Sequence, residues 1–198
     1  MDKKALGHFK KIDPTLYEIA LTVKLEALSK PSDYFIDLVD SIISQQLSGK
    51  AAATIFSRFK KLFPQEKITA DKLLKIPDQK IREAGISFSK IHYIKGIAEK
   101  ITNKELNLNK LEKLSDEEVI MELVKIKGIG IWTAEMFLIF TLLREDIFSA
   151  GDLGLQNAVK KLYKLEKDLS KNELLEISSK WKPYRTLASR ILWRSLDK

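Results

Sequence analysis

The residue in this chain best suited to chemistry is an aspartate in a short polar interruption between two apolar runs. Asp152 stands in Ser149-Ala-Gly-Asp-Leu-Gly154, where a lone carboxylate can stabilise a developing positive charge. Upstream, Lys127-Gly-Ile-Gly130 reads as a tight turn between two segments of helical periodicity. Glycines at this spacing let consecutive backbone N–H groups face outward at the start of the next helix, where a phosphate fits. Asp152 follows across one further helix, near enough in the chain to be carried beside a nucleic acid held by that turn. Both features also have plainer readings. Asp152 precedes Leu153, Leu155, Ala158, Val159 and Leu162 as a helix N-cap would, and a Gly-x-Gly is a common turn between antiparallel helices. For the aspartate the two readings are compatible, since a negative charge is stabilised at the positive end of a helix.

Two further segments are chemically suggestive. Ser41-Ile-Ile-Ser-Gln-Gln-Leu-Ser48 sets two glutamines at the junction between an apolar helix end and an alanine-rich helix start. Glutamines at a junction usually form solvated loop, but Gln45, Gln46 or Leu47 could instead project into a duplex and fill the space of a displaced base. The run from Trp181 to Trp193 mixes aromatics with cations. Leu187, Ile191 and Leu192 argue for a buried helix there, while Trp181, Tyr184 and Trp193 also offer faces on which a base stacks. His8 and His92 lack metal-ligand spacing, and no Walker loop, dinucleotide fingerprint or nucleophile elbow is present.

The elements that must position these residues are helical. The 198 residues are 44% hydrophobic, enough to bury a core of one domain or two small lobes, and apolar residues recur at helical spacing almost throughout. Asp13-Pro14 opens a helix expected to run towards Ser29, with Pro31 forbidding its continuation. Ser32 opens the next and Ser48 the one after. Gly85 sits where a left-handed C-cap would, and Ser115 with Glu118 forms a capping box. An apolar helix runs from Ile131 to about Leu143, others begin after Asp152, Ser170 and Pro183, and the polar stretch Thr102 to Lys113 reads as a loose connection. The net charge of +8 suits a polyanionic partner, although lysine-rich composition alone produces the same figure. With no cysteine, disulfides, thiolate metal sites and cysteine-ligated iron–sulfur clusters are excluded. Met1 to Lys11 does not read as a signal peptide, and no stretch has the apolar length of a membrane span.

Five ordered motifs, Ile42-Ile-Ser-Gln-Gln-Leu-Ser48, Ala84-Gly-Ile-Ser-x-x-Lys90, Ile126-Lys-Gly-Ile-Gly-Ile-Trp-Thr-Ala134, Gly151-Asp-Leu-Gly-Leu155 and Trp181-Lys-Pro-Tyr-Arg-x-x-Ala-x-x-x-Leu-Trp193, resemble the helix-hairpin-helix GPD superfamily of DNA glycosylases. Its 3-methyladenine DNA glycosylase II branch is the nearest match. The resemblance implies an all-α, two-lobed fold with the active-site cleft between the lobes. It divides the chain into an N-terminal helix (1–31) packing with the C-terminal lobe, a central lobe (32–145) holding the hairpin (about 117–143), and a C-terminal lobe (146–198) carrying the aspartate. It implies Asp152 as catalytic residue, a base pocket of Trp132, Met136, Trp193 and Tyr184, a wedge among Gln45, Gln46 and Leu47, and backbone contacts to DNA from Lys127, Gly128, Ile129, Gly130 and Thr133. The carbonyls of Val124, Ile126 and Ile129 match the family's site for a structural monovalent cation. No cofactor is implied as required.

Trp132 stands where lyase-capable relatives carry a Schiff-base lysine, so the resemblance implies a monofunctional enzyme of base-excision repair. It would remove 3-methyladenine, and 7-methylguanine with it, from damaged double-stranded DNA, as a monomer in the cytoplasm at the nucleoid, or in the nucleus of a eukaryote. Three departures bear on this: the length leaves no room for the β-rich N-terminal domain of some members, Met136 replaces an aromatic pocket residue, and Lys127 replaces the usual hairpin proline. The alternatives are a glycosylase for an oxidised or deaminated base, and a catalytically silent helix-hairpin-helix DNA-binding protein. The latter leaves the glutamine pair, Asp152 and the aromatic tail without a reason.

Overall fold

A computed structural model describes residues 2–196. These form twelve α-helices with short 3-10 and π segments and no strand. None of the described helices is long and apolar enough to cross a membrane. The chain divides into two compact units. One is continuous, Pro31–Phe137; the other joins the residues up to Lys30 to those from Leu138 onward.

In the continuous unit, helices α3 (Tyr34–Ser44), α4 (Gly49–Lys60), α5 (Ala70–Lys75), α6 (Asp78–Glu83), α7 (Phe88–Thr102), α8 (Asp116–Val124) and α9 (Ile131–Met136) follow in order. Side-chain caps set several starts: Ser48 accepts from the N–H of Ala51, Ser87 from Lys90, and Ser115 with Glu118 forms the expected capping box. Asp33, not Ser32, caps α3, because its carboxylate reaches the N–H groups of Phe35 and Ile36. Helix α7 is central, with α3, α5 and α6 packed on it, and its Ile91, Ile94 and Ile97 are buried. The expected loose connection includes a 3-10 turn, Leu108–Lys113, because Leu108 and Leu111 are drawn into the core.

The discontinuous unit is built from α1 (Lys3–Ile12), α2 (Pro14–Thr22), α10 (Leu153–Leu162), α11 (Lys171–Ser179) and α12 (Arg185–Ser195). Its core gathers Ala5, Phe9, Leu16 and Ala20 from the first pair with Leu155, Val159, Leu174, Trp181, Ile191 and Leu192. Helix α2 stops at Thr22 and does not continue to Ser29. Tertiary packing overrides propensity here: Val23 is buried, and the Arg190 guanidinium donates to the carbonyl of Glu26. Asp13 caps α2 through Leu16 N–H and lies buried, accepting from the Trp181 indole (2.8 Å) and the Tyr163 hydroxyl, with the Lys180 ammonium at 2.9 Å. Burial pushes the Asp13 carboxyl up, but these donors outweigh it and hold it below its ordinary value.

The helix after the hairpin differs from expectation. It leaves α geometry at Met136 and passes through a π-helical stretch, Phe137–Thr141. Phe137, Leu138 and Ile139 are all buried, three consecutive side chains that one face of a regular helix cannot serve. The division between units falls inside this stretch, at 137/138, and not at the expected 145/146.

Candidate functional site

In the discontinuous unit the site is organised around Asp152. The residue caps α10, its Oδ1 accepting the N–H of Leu155 at 2.7 Å. The same oxygen accepts the indole N–H of Trp193 at 2.8 Å. A carboxylate gripped through one oxygen by two donors has a fixed plane, which aims its second oxygen in one direction. Gly154 makes the arrangement possible. A Cβ there would lie 3.0 Å from Asp152 Oδ1 and 3.1 Å from Trp193 Cδ1, so a side chain would part the pair. Phe140 stacks on the Trp193 ring, centroids 5.8 Å apart and planes 28° from parallel, and is itself 40% exposed. A π-turn that leaves Phe140 partly exposed makes no mark in the apolar pattern of the run from Ile131 to Leu143.

The continuous unit carries the hairpin. Helix α8 ends at Val124, the N–H of Ile129 bonds the carbonyl of Ile126 (3.0 Å), and α9 starts from Gly130. Gly128 takes φ +93°, and a Cβ there would fall 2.3 Å from the Tyr93 ring, so both conformation and space demand glycine. Gly130 has no atom within 4 Å of its would-be Cβ, and no side chain caps α9. The first N–H groups of that helix are therefore not claimed by a capping residue. Ile131 and Trp132 beside them are 63% and 46% exposed.

The glutamine junction lies against this hairpin. The Gln45 side-chain amide donates to the carbonyl of Gly128 (3.1 Å) and to Thr133 Oγ1 (3.3 Å). Lys90 of α7 donates to the carbonyls of Ile43 (2.8 Å) and Gln45 (2.7 Å) at the end of α3. Burial pulls the Lys90 ammonium below its ordinary pKa. Gln46 is exposed with φ +58°, and Leu47 is exposed beside it.

These placements sort the expected site residues. Asp152 and Trp193 are brought into direct contact, and the hairpin residues Lys127 to Gly130 form one turn. Of the three wedge candidates, Gln45 is tied to that turn through its amide, while Gln46 and Leu47 are exposed. Thr133 is buried, and its hydroxyl oxygen accepts from the Gln45 amide. Tyr184 does not join Trp193: it is the N-cap residue of α12, nine positions earlier, and packs edge-on against Phe9 and His8. Trp181 is fully buried with its N–H on Asp13, which makes it core and removes it as a stacking surface. Of the carbonyls of Val124, Ile126 and Ile129, that of Ile126 accepts the Ile129 N–H; all three are neutral oxygens, the ligand type that hard cations take.

Comparison with known proteins identifies the family. Residues 39–183 match the model of the HhH-GPD superfamily of base excision DNA repair proteins. A DNA-3-methyladenine glycosylase of Schizosaccharomyces pombe is 39% identical over 161 residues, covering 80% of this chain and 71% of the relative. A Bacillus subtilis relative, 33% identical over 166 residues, is longer, and the chain spans 58% of its length. Among solved structures, a Bacillus halodurans DNA-3-methyladenine glycosidase superposes with TM-score 0.84 at 36% identity, over 97% of this chain and 88% of that one. The S. pombe 3-methyladenine DNA glycosylase in complex with abasic DNA gives TM-score 0.84 at 34% identity, over 96% and 95% of the two chains. An all-helical chain with an uncapped glycine hairpin and an indole-held aspartate in the matched span thus belongs to the HhH-GPD superfamily of base excision DNA repair proteins.

Proposed function

We propose that this protein is a monofunctional DNA glycosylase that acts as a monomer on damaged duplex DNA. It hydrolyses the N-glycosidic bond of alkylated purines, 3-methyladenine and with it 7-methylguanine, and leaves an abasic site. The observation that carries the reading is the Asp152 carboxylate, fixed by Leu155 and Trp193 on the Gly-Asp-Leu-Gly motif. The names of the similar glycosylases support the substrate class.

The chemistry follows from the leaving group. An alkylated purine carries a ring cation, so the glycosidic bond breaks with both electrons going to the base nitrogen, which neutralises the ring. No general acid is required. Positive charge collects on the sugar at C1′, where the Asp152 carboxylate stabilises it. Water then adds to C1′ and releases its proton through the carboxylate to solvent. Trp132 has no amine with which to attack C1′, and its ring face suits a cationic base. The uncapped start of α9 takes a phosphate, with Lys127 adding charge, while Gln46 occupies the space of the extruded nucleotide. A monovalent cation on the carbonyls of Val124, Ile126 and Ile129 would brace the hairpin without entering the reaction.

Base release from methylated duplex DNA, resolved by chromatography, tests the reading. The wild type should free 3-methyladenine and Asp152→Asn should not. Release by neither protein would refute the alkylpurine assignment. Borohydride should trap no covalent complex between protein and DNA, and efficient trapping would contradict the monofunctional assignment.

A further inference from the structure

Helix α3 ends without a glycine. Its last carbonyls need donors, and the chain turns through Gln45 (φ −50°, ψ 133°) and then Gln46 at φ +58°, a left-handed conformation unfavourable for a residue with a side chain. The Lys90 ammonium supplies the donors, with one hydrogen bond to Ile43 and one to Gln45. The Gln45 carbonyl belongs to the peptide plane that begins Gln46. Fixing that oxygen fixes the direction in which the Gln46 side chain leaves the turn. From the other side, the Gln45 amide anchors the same turn to Gly128 and Thr133 of the hairpin. Three residues after Lys90, and so on the same face of α7, Tyr93 covers Gly128. One helix face thus braces both the glutamine turn and the hairpin.

We propose that Lys90 is a positioning residue for the wedge: through the Gln45 carbonyl it holds Gln46 outward and in register with the hairpin, so that phosphate capture and base displacement act on the same nucleotide. This rests on the glycosylase reading, from which the wedge role of Gln46 comes. Lys90 makes no ion pair with a carboxylate among the described residues, so its charge is spent on the turn. It does not touch the reacting atoms.

The test uses a duplex containing a tetrahydrofuran abasic analogue flanked by 2-aminopurine, whose fluorescence rises when its neighbour is unstacked. Affinity is read by anisotropy on the same DNA. Wild type should raise the fluorescence. Gln46→Ala should lose more than about half of the rise, and Lys90→Met should lose as much while binding within about threefold of wild type, because phosphate contacts dominate affinity. Lys90→Arg, which keeps a donor at the carbonyls, should restore it. A full rise with Lys90→Met overturns the proposal. Should Lys90→Met not fold, Gln45→Leu leaves Lys90 in place and breaks the hairpin tie; it should show the same loss, and an undiminished rise would overturn the coupling. Neither signal requires catalysis. A wild type that unstacks 2-aminopurine but frees no base from methylated DNA would therefore defeat the glycosylase reading and leave the role of Lys90 standing. A wild type giving no rise would defeat the wedge and Lys90 together.

Discussion

Two helices begin at turns of the candidate site, one in each unit, and they begin in opposite ways. Helix α10 is capped from within, the Asp152 carboxylate taking the Leu155 N–H and holding the Trp193 indole on the same oxygen. Helix α9 begins at Gly130, which has no side chain to cap it. In the one case the negative charge at the positive helix end belongs to the protein; in the other, on the proposed reading, a DNA phosphate would bring it. Each turn also has a glycine pressed by an aromatic ring, Gly154 by Trp193 and Gly128 by Tyr93, while Gly130 is uncrowded. A built-in charge needs rigid fixing, and a borrowed one needs an open backbone.

The sharpest way to break this contrast is Asp152→Asn. Asparagine caps a helix as well as aspartate does, so stability should change by less than about 0.5 kcal/mol, while base release falls by roughly 10³-fold. Equal losses of stability and activity would mean that the carboxylate is only a cap. Gly154→Ala should come next, pushing Trp193 away from Oδ1 and lowering single-turnover release by roughly 10- to 100-fold with DNA affinity unchanged. The hairpin glycines should then separate. Gly128→Ala meets both a positive φ and the Tyr93 ring and should cost about 3 kcal/mol in denaturant unfolding. Gly130→Ala should leave stability within about 0.5 kcal/mol and weaken DNA binding several-fold, since its methyl sits over the N–H groups. If the two behave alike, the distinction between a packed and an open glycine is lost.

The smallest effect concerns acid. The Asp13 carboxyl is held below its ordinary 3.8 in the folded state, so it binds protons more readily once unfolded. Its contribution is complete above that ordinary value and is lost as pH falls through the lower folded one. Unfolding monitored between pH 5 and pH 2 should show a steeper decline for wild type than for Asp13→Asn, and parallel curves would deny Asp13 that role.

Much of this was legible in the sequence wherever the signal is local. The capping box at Ser115 and Glu118, the left-handed Gly85 and the capping position of Asp152 all depend on neighbours within three or four residues. What escaped depends on distant partners. Nothing near Trp193 announces a bond to a residue 41 positions away, nor does Lys90 reveal that it closes a helix 45 positions earlier. The expected N-terminal helix over 1–31 is divided at Asp13, which ends α1 and caps α2, and the charges along α1 conceal Ala5 and Phe9, which the core buries completely. Tyr184 and Trp181 shared an aromatic segment with Trp193 but face other partners, and composition does not resolve the faces of a helix.

The two units also differ in how the chain supplies them. The hairpin unit is one uninterrupted stretch, so it can mature while later residues are still being synthesised. Its neighbour is split, and Phe9 and Leu16 must wait for Trp181, Ile191 and Leu192 before their core exists. The hairpin turn can thus be in place on a nascent chain whose aspartate has not yet met its indole, so that on the proposed reading the capacity to hold a duplex would precede the capacity to cut a base from it.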